Sequence, residues 1–296
     1  MFCKRYLVRI NSLTKKMENL THKIKFWGVR GSFPSPRKDT VIFGGHTSCV
    51  EIRTAKNELI VLDMGTGFLD LGSSLMSETN APSEAHVIVS HFHWDHLFGF
   101  LGFAPFFDPM RSFHIYGKDD KMTPEEIIDY IQNPTFWPVS MDMLNAKIDL
   151  HTFPNDELVI SDDIRIKFTL HGHPNGANSY RIEIGNSVIV YSTDCEHPTE
   201  HLNHHVVDNA QDADVLIHDA QYTDEELPAH KGWGHSSWQQ AVGVAKAGNV
   251  KQLILYHHDP SRNDDAMSQL EADAQGEFPN TLAARQGMEI HIPASY

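Results

Sequence analysis

Five apolar segments of this chain share one design that strongly limits its fold. Each is a short run of aliphatic residues that ends in a side chain able to bind a metal or transfer a proton. The five lie at 59–63, 87–91, 188–194, 215–219 and 253–257. Strands buried on both faces bring their carboxyl ends to a common edge, where loops can hold side chains rigidly. The pattern therefore predicts an α/β domain with one site built from several strand ends.

A pass along the whole chain gives strands mixed with fewer helices. We predict strands at 24–28, 48–53, 58–63, 86–90, 112–116, 164–170, 179–184, 187–192, 215–218 and 252–256. Helices are predicted at 67–77, 123–131, 236–247 and 264–272, the second of them with Thr123 as its N-cap. No segment has the composition of a long linker, so we expect a flexible tail at 1–23 and one domain at 24–296.

Charge and cysteine content argue against several classes of protein and indicate a cellular compartment. The chain carries 24 Lys and Arg against 39 Asp and Glu, a net charge of −15, which argues against a protein whose main role is to coat nucleic acid or an anionic membrane. The chain contains no run of about 18 apolar residues, so we predict no membrane-spanning helix. Three scattered cysteines, Cys3, Cys49 and Cys195, are too few for a disulfide framework. We therefore expect a soluble protein of the reducing cytoplasm.

The sharpest local signal is the segment 91–96, which reads HFHWDH and directly follows a predicted strand. Its four potential ligands cannot all face one way on a strand or a helix, so a loop must wrap around a common point. Imidazole and carboxylate together suit zinc, manganese or iron. The alternative, a His-rich surface loop, would leave both aromatic residues of the segment exposed without purpose. The motif therefore predicts a metal site.

This motif resembles the signature of the metallo-β-lactamase fold, and further segments support the resemblance in chain order. They lie upstream at 28–32, 44–49 and 62–67 and downstream at 173–182, 191–194 and 253–257. The upstream segments resemble the phosphodiesterase branch of the fold, which includes ribonuclease Z and cyclic-nucleotide phosphodiesterases. The resemblance implies an αββα four-layer sandwich, in which two mixed β-sheets are flanked by helices.

The resemblance also implies a dinuclear metal centre. It would hold two divalent ions per chain, with Zn²⁺ the first expectation and Mn²⁺ or Fe²⁺ the alternatives. A hydroxide shared by two such ions is a nucleophile for hydrolysis. Asp95 would act both as ligand and as catalytic residue. One ion would be bound by His91, His93 and His173 and the other by Asp95, His96 and His257, with Asp194 bridging them.

Two of these ligands have close competitors. His171 lies two residues before His173 on an extended stretch, but His173 precedes a proline, as in the His-Pro step of the family. His257 and His258 are adjacent, so their side chains diverge. The apolar run before them favours His257 as the ligand and leaves His258 beside the site.

A second pair of motifs suggests a general acid. The segment 218–221 resembles the His-Glu-Ala-Thr element of ribonuclease Z-like enzymes, and 234–237 resembles their later His-Ser-Thr element. By that resemblance Asp219 orients His235, which protonates the leaving oxygen, as a poor alkoxide leaving group requires. This chain has Asp where the family usually has Glu, one methylene longer. The alternative is that Asp219 caps a turn and His235 lies beside a helix N-cap.

The expected substrate is a small phosphodiester such as a cyclic nucleotide. Ribonuclease Z carries a long arm for tRNA between the third histidine and the bridging aspartate. Here that interval, 194 − 173 = 21 residues, is filled by two strands and a tight turn at 185–186, so nucleic acid is not an expected partner. Segment 98–149 is expected to cover the site. The candidate substrate contacts are Trp233, Phe106, Lys231 and Arg30.

Three other functions stay open at this point. A lactone or thioester hydrolase could use the same metals without a general acid. A tRNA-processing ribonuclease and a non-catalytic binding relative would also preserve the fold. A homodimer is possible by analogy with the family.

Overall fold

Two seven-stranded mixed β-sheets, packed face to face, form the centre of the molecule. The structure is a computed structural model that describes residues 20–155 and 157–294. The strands of these residues are β1 Thr21–Gly28, β2 Cys49–Arg53, β3 Leu59–Leu62, β4 Glu84–Ile88, β5 Ser112–Gly117, β6 Lys147–Thr152, β7 Glu157–Ser161, β8 Ile164–His171, β9 Ala177–Ile184, β10 Ser187–Ser192, β11 Val215–Asp219, β12 Leu253–Tyr256, β13 Thr281–Ala283 and β14 Glu289–Pro293.

Helices flank the sheets on their outer faces. The α-helices are α1 Gly67–Ser77, α2 Trp94–Leu97, α3 Pro124–Ile131, α4 His204–Asn209, α5 Trp238–Ala247 and α6 Asp264–Glu277. One apolar core fills the space between the sheets, and two others lie under the helices on either side. This arrangement confirms the αββα sandwich that the sequence implies.

Strand order explains why the carboxyl ends of the central strands meet. The first sheet runs β14-β1-β2-β3-β4-β5-β6 and the second β13-β12-β11-β10-β9-β8-β7. Strands β3 to β6 are parallel to one another, and so are β10 to β13. Polar residues lie at the carboxyl ends of five strands, β3, β4, β10, β11 and β12. They therefore meet at one edge of the sandwich and come from two sheets rather than one.

All ten predicted strands are present, and the four that the sequence pattern missed are the edge strands. They are β14 and β6 in the first sheet and β13 and β7 in the second. An edge strand is paired on one side only and is shorter or half-exposed, so it needs no continuous apolar run. Strand β6, for example, has no fully buried residue.

All four predicted helices are present at the predicted positions, but some of their ends differ from the prediction. Thr123 caps α3, with its hydroxyl accepting from the backbone N–H of Glu126 and the Glu126 carboxylate accepting from the N–H of Thr123. Helix α6 continues five residues beyond the predicted 264–272, to Glu277. The short α2 and α4 were not predicted, because a single turn leaves too little periodicity to detect.

Two boundary predictions need correction. Strand β1 begins at Thr21, so three residues of the predicted tail 1–23 pair with β14 and β2; residues 1–19 lie outside the described residues. The predicted cover 98–149 contains β5, which pairs with β4 and β6 inside the first sheet. Only part of that segment faces the site. Among the described residues, no helix combines the length and the hydropathy that a membrane crossing needs.

Candidate metal centre and active site

Sharp turns at three strand ends aim polar side chains at a common point. Asp63, Asp194 and His257 follow β3, β10 and β12, and all three adopt the left-handed backbone conformation with φ of 62°, 52° and 58°. This conformation is costly for residues other than glycine and concentrates at functional sites. The motif 91–96 follows β4, and α2 begins inside it at Trp94, which brings Asp95 and His96 onto one helical turn.

Three imidazoles converge into a first cluster. The Nδ1 atom of His93 lies 2.9 Å from Nε2 of His91 and 3.1 Å from Nε2 of His173. Burial lowers the pKa of all three histidines, most strongly that of His91, so each ring is neutral and keeps one free lone pair. The Gly234 carbonyl lies 3.0 Å from Nδ1 of His173 and holds the proton there, which leaves Nε2 free to bind a metal.

Two carboxylates and two imidazoles form a second cluster. Nε2 of His96 lies 3.2 Å from Oδ2 of Asp95 and 3.1 Å from Oδ2 of Asp194. Nε2 of His257 lies 3.2 Å from each of the same two oxygens. Burial opposes a charge on His96, yet the nearby Asp95, Asp194 and Asp63 raise its pKa well above the usual value. The cluster therefore requires positive charge at its centre, which a divalent cation would supply.

Asp194 faces both clusters. Its Oδ2 belongs to the second cluster, and its Oδ1 lies 3.8 Å from Nε2 of His91 and 3.9 Å from Nε2 of His173. Burial raises the pKa of Asp194 and the imidazoles lower it, with the balance well below the usual value. A carboxylate in this position is suited to bridge two ions. The donor set of five imidazoles and two carboxylates fits two borderline divalent cations.

The structure separates the competing histidines. His173 lies in the first cluster and His171 does not. His257 points into the second cluster, whereas Nε2 of His258 donates to the Ala284 carbonyl at 2.8 Å. The two adjacent side chains diverge at the turn, where His257 has a positive φ, so only one of them reaches the centre.

Asp63 supports the second cluster, and sequence reasoning gave it no role beyond its place at a strand end. Its carboxylate accepts from the Ser90 N–H at 2.7 Å, the Ser90 hydroxyl at 2.9 Å, the Tyr191 hydroxyl at 2.7 Å and Nδ1 of His96 at 2.7 Å. The last contact keeps the proton on Nδ1, so Nε2 of His96 presents its lone pair to the site. The available signal was its position after an apolar run.

We expect Asp63→Asn to weaken both stability and metal affinity. Asparagine tolerates the left-handed backbone, so the change removes the charge and two acceptor positions with little strain. The free energy of unfolding should fall by about 2–4 kcal/mol and metal affinity by about 10–100-fold. Urea unfolding and metal titration test this. The half-exposed Asp70 gives a matched control, Asp70→Asn, for which we expect less than about 0.5 kcal/mol. Unchanged metal affinity in Asp63→Asn would remove the proposed support.

Asp219 and His235 form a buried pair beside the clusters. Nδ1 of His235 donates to Oδ2 of Asp219 at 2.9 Å. The same carboxylate accepts from the backbone N–H of Ser236 at 2.9 Å and of Asp194 at 3.1 Å, so aspartate reaches although it is shorter than glutamate. The His235 ring stacks on His257 with 5.0 Å between centroids. The N-cap of α5 is Ser237, so Asp219 anchors the turn before the helix while it orients His235.

We expect an unusually basic His235 in the metal-free protein. Burial opposes its charge, but the Asp219 carboxylate outweighs burial and raises the pKa to about 9. Because the folded-state value lies above the unfolded value of about 6.5, the pair stabilises the fold fully below pH 6.5 and loses this contribution as pH rises through about 9. NMR titration of His235 should show this midpoint. Asp219→Asn should lower it by about 1–3 pH units. An unchanged midpoint would mean that Asp219 does not set the charge.

Two of the four candidate substrate contacts lie near the site. Trp233 is 57% exposed and packs edge-on against His230. Lys231 lines a cavity of about 420 Å³ together with His235.

The other two candidates are corrected by the structure. Phe106 is 1% exposed and packs in an aromatic core with Phe100, Phe103 and Phe113. Arg30 is fully buried, and its guanidinium donates to the carbonyls of Gly44, Asp259 and Arg262 at 2.8, 3.0 and 2.8 Å. Arg30 therefore ties backbone segments together and is not a phosphate contact.

Sequence reasoning missed a cavity of about 300 Å³ on the His91 side of the centre. Apolar and aromatic side chains wall it, and Lys118 and Lys121 contribute positive charge. The lysines come from the loop between β5 and α3, and this loop together with α3 is the part of segment 98–149 that faces the cavity. Their relevance could not be read from sequence, since two lysines in a loop carry no signal of their own.

Comparison with known proteins assigns the family. The family model described as "Beta-lactamase superfamily domain" matches residues 59–258, which include every residue of the two clusters. This chain belongs to that superfamily. Ribonuclease Z of Thermoplasma volcanium is 25% identical over 93% of this chain and 98% of its own length.

Solved structures agree on the fold. The metallo-β-lactamase fold protein YhfI from Bacillus subtilis superposes with a TM-score of 0.67 at 19% identity, covering 92% of this chain and 99% of YhfI. The short form of human tRNase Z gives 0.65 at 19% identity, covering 92% and 100%. The chain is thus a hydrolase of the metallo-β-lactamase fold, which implies divalent metal ions, as its motifs predicted.

Proposed function

We propose that the chain is a phosphodiesterase for a small phosphodiester, such as a cyclic nucleotide, and that it uses two divalent ions, with zinc preferred. The observation that carries the proposal is the Asp219–His235 pair, which lies against the two clusters. A thiolate leaves without a proton, so a thioester hydrolase needs no such acid. An alkoxide leaving from phosphorus does need one.

The ligand sets follow from the two clusters. The first ion would be held by His91, His93 and His173, the second by Asp95, His96 and His257, with Asp194 shared between them. When bound, two such ions supply a nucleophile at neutral pH and neutralise charge on the phosphoryl oxygens. Imidazole and carboxylate donors without sulfur also accept manganese or iron.

The side chains beside the two clusters would supply a proton and orient the substrate. His235 lies beside the clusters, where it can give a proton to the leaving oxygen. Asp219 fixes the ring and stabilises its charge. Lys231 shares the cavity beside His235 and can orient an anionic substrate from that side.

The cavity on the opposite side suits a base and a phosphate. Trp94 and Tyr130 offer aromatic faces, both more than half exposed, on which a nucleobase could stack. Lys118 and Lys121 place positive charge on the same wall. A volume of about 300 Å³ accommodates a nucleotide-sized ligand.

A specific observation favours a second candidate, a tRNA-processing ribonuclease. Relatives that match almost the full length of the chain are named ribonuclease Z, so the sequence argument against nucleic acid is weakened. Against it stands the segment between His173 and Asp194, which the hairpin β9–β10 fills with a tight turn at Gly185 and no protruding arm.

A substrate panel tests the proposal. Zinc-loaded protein is offered a cyclic nucleotide, a precursor tRNA, a thioester and a lactone under the same conditions. We expect a kcat/KM for the cyclic nucleotide at least about 100-fold above the others, a difference of about 3 kcal/mol in transition-state binding. Preference for precursor tRNA would establish the second candidate. Turnover of acyl substrates alone would overturn the proposal in favour of an acyl hydrolase.

The buried thiols Cys49 and Cys195, both unpaired, are consistent with the proposed cytoplasmic location.

A further inference from the structure

A second group of metal-binding side chains lies next to the centre and has no part in the proposed reaction. Cys195, His197 and His218 each place one donor atom within 4.8 Å of the others. All three are buried, with exposures of 0%, 5% and 0%. We infer that these side chains, with His171, form a separate structural site for one divalent ion of zinc type, hereafter the sulfur site.

Unpartnered histidine nitrogens mark this region. Nε2 of His197, Nε2 of His218 and both ring nitrogens of His171 are buried and have no hydrogen-bond partner in the described part of the protein. More than nine in ten buried polar groups of native proteins are paired. Leaving one unpaired costs about 1–3 kcal/mol, so several in one place indicate a missing partner. A bound cation would satisfy one nitrogen of each ring.

The fold brings the four side chains together from three places. The parallel pairing of β10 and β11 sets Ser192 beside His218, and the chain continues from β10 through Cys195 to His197. Gly172 and Glu196 form an antiparallel bridge with a hydrogen bond of 2.8 Å, which sets His171 opposite His197. The rings of His197 and His218 stack with 5.4 Å between centroids. Residues far apart in sequence are therefore held by backbone pairing around one buried point.

The donor set selects the metal. One thiolate with two or three imidazoles and no carboxylate suits a tetrahedral zinc ion, with Zn–S of about 2.3 Å and Zn–N of about 2.0–2.1 Å. Donor atoms in such a site lie roughly 3.3–3.7 Å apart, so the side chains would draw together by about 1 Å on binding. Nδ1 of His218 donates to the Asp219 carbonyl at 2.7 Å, which leaves the lone pair of Nε2 free for the metal.

Binding requires two proton changes. The Cys195 thiol releases its proton to solvent when sulfur binds the ion. Nδ1 of His197 now accepts from the Asn203 N–H at 3.1 Å, so its ring proton is on Nε2. Coordination through Nε2 moves that proton to Nδ1 and ends the contact with Asn203. A cavity lined by Gly172, His197 and Asn203 connects this histidine to solvent and gives the ion a route of entry.

The sulfur site would fix two segments that carry active-site residues. Cys195 directly follows Asp194, and His218 directly precedes Asp219. An ion bound to both would fix the segments that carry the bridging carboxylate and the partner of His235. Its role is therefore one of positioning, distinct from the ions that the proposed reaction uses.

Cobalt substitution tests the sulfur site in the full-length protein. The ligands proposed for the catalytic ions contain no sulfur, so a thiolate-to-cobalt charge-transfer band in the near ultraviolet can arise only from a cysteine. We expect this band in the wild-type protein loaded with Co²⁺, and its loss in Cys195→Ser together with one metal equivalent per chain. Cys49→Ser is the matched control, since Cys49 is buried in the apolar core under α1. Cys3→Ser controls for the remaining cysteine. Both should keep the band.

A second variant tests the sulfur site even if Cys195→Ser fails to fold. His197→Gln keeps Cys195 and removes one imidazole, so the band should weaken or shift while the cysteine remains. Metal counts alone would mislead, because the half-exposed His114, Asp149 and His151 can also bind an ion. A wild-type protein that binds cobalt without the band, or a band that survives in Cys195→Ser, would overturn the inference and leave buried water as the partner of these nitrogens. The band needs no substrate, so it is independent of the proposed activity.

Discussion

Asp95→Ala is expected to abolish turnover while the protein stays folded. The carboxylate lies 3.2 Å from Nε2 of both His96 and His257, so its removal takes a ligand from the second ion. Loss of one of two ions removes several kcal/mol of charge stabilisation, and about 4 kcal/mol corresponds to a rate decrease of about 10³-fold. The measurements are kcat/KM on bis(p-nitrophenyl) phosphate and metal content by elemental analysis.

A matched control and a folding check accompany this variant. Asp129→Ala removes an exposed carboxylate from α3 and should retain activity and metal. Circular dichroism should be the same for both variants. The backbone N–H of Ser32 donates to Asp95 at 2.7 Å, so a small loss of stability is expected in Asp95→Ala. Full activity with an undiminished metal content would exclude a two-ion mechanism on these ligands.

His235→Ala is expected to discriminate between leaving groups. An alkyl phosphodiester requires a proton on its departing oxygen, so kcat/KM should fall by about 10²–10⁴-fold, the usual contribution of a general acid. A p-nitrophenolate leaves without assistance, and the loss on an aryl phosphodiester should stay within about 10-fold. Rates of both substrates are measured on the same protein, so the ratio cancels any difference in metal loading.

His230→Ala serves as the control for the shape of the cavity. His230 lines the same cavity as His235 and stacks on Tyr222, with 4.1 Å between centroids, but it does not contact Asp219. Its removal should affect the two substrates alike. Equal losses on both substrates in His235→Ala would count against a general acid and would favour an acyl substrate.

The central strands and the convergence of the seven candidate ligands could be predicted because burial and chemistry leave strong local patterns. A strand such as β12, buried at every residue, must be apolar throughout, and the polar residue that follows it is conspicuous. The edge strands escaped because half-exposed residues need no such run. The choice of His257 over His258 also followed from a local pattern, since His257 is the residue that directly ends the apolar run.

The substrate contacts could not be predicted because they depend on distant packing. Phe106 looks like any loop aromatic in sequence, and only the helix α1 and its neighbours bury it. Arg30 is a charged residue, and two of its three backbone carbonyl partners lie about 230 residues further along the chain. The sulfur site is a stronger case, since His171 and His197 meet only through the bridge between Gly172 and Glu196. No spacing rule reports such a pairing.

Hydrolysis of bis(p-nitrophenyl) phosphate before and after metal removal tests the central claim most directly. The protein is stripped with a chelator, dialysed and reloaded with zinc or manganese, and kcat/KM is measured at each stage. We expect turnover to disappear on stripping and to return on reloading, with the reloaded Asp95→Ala variant remaining inactive. Turnover that survives the removal of metal, or that fails to return while the fold and the metal content are restored, would contradict a phosphodiesterase built on these two clusters.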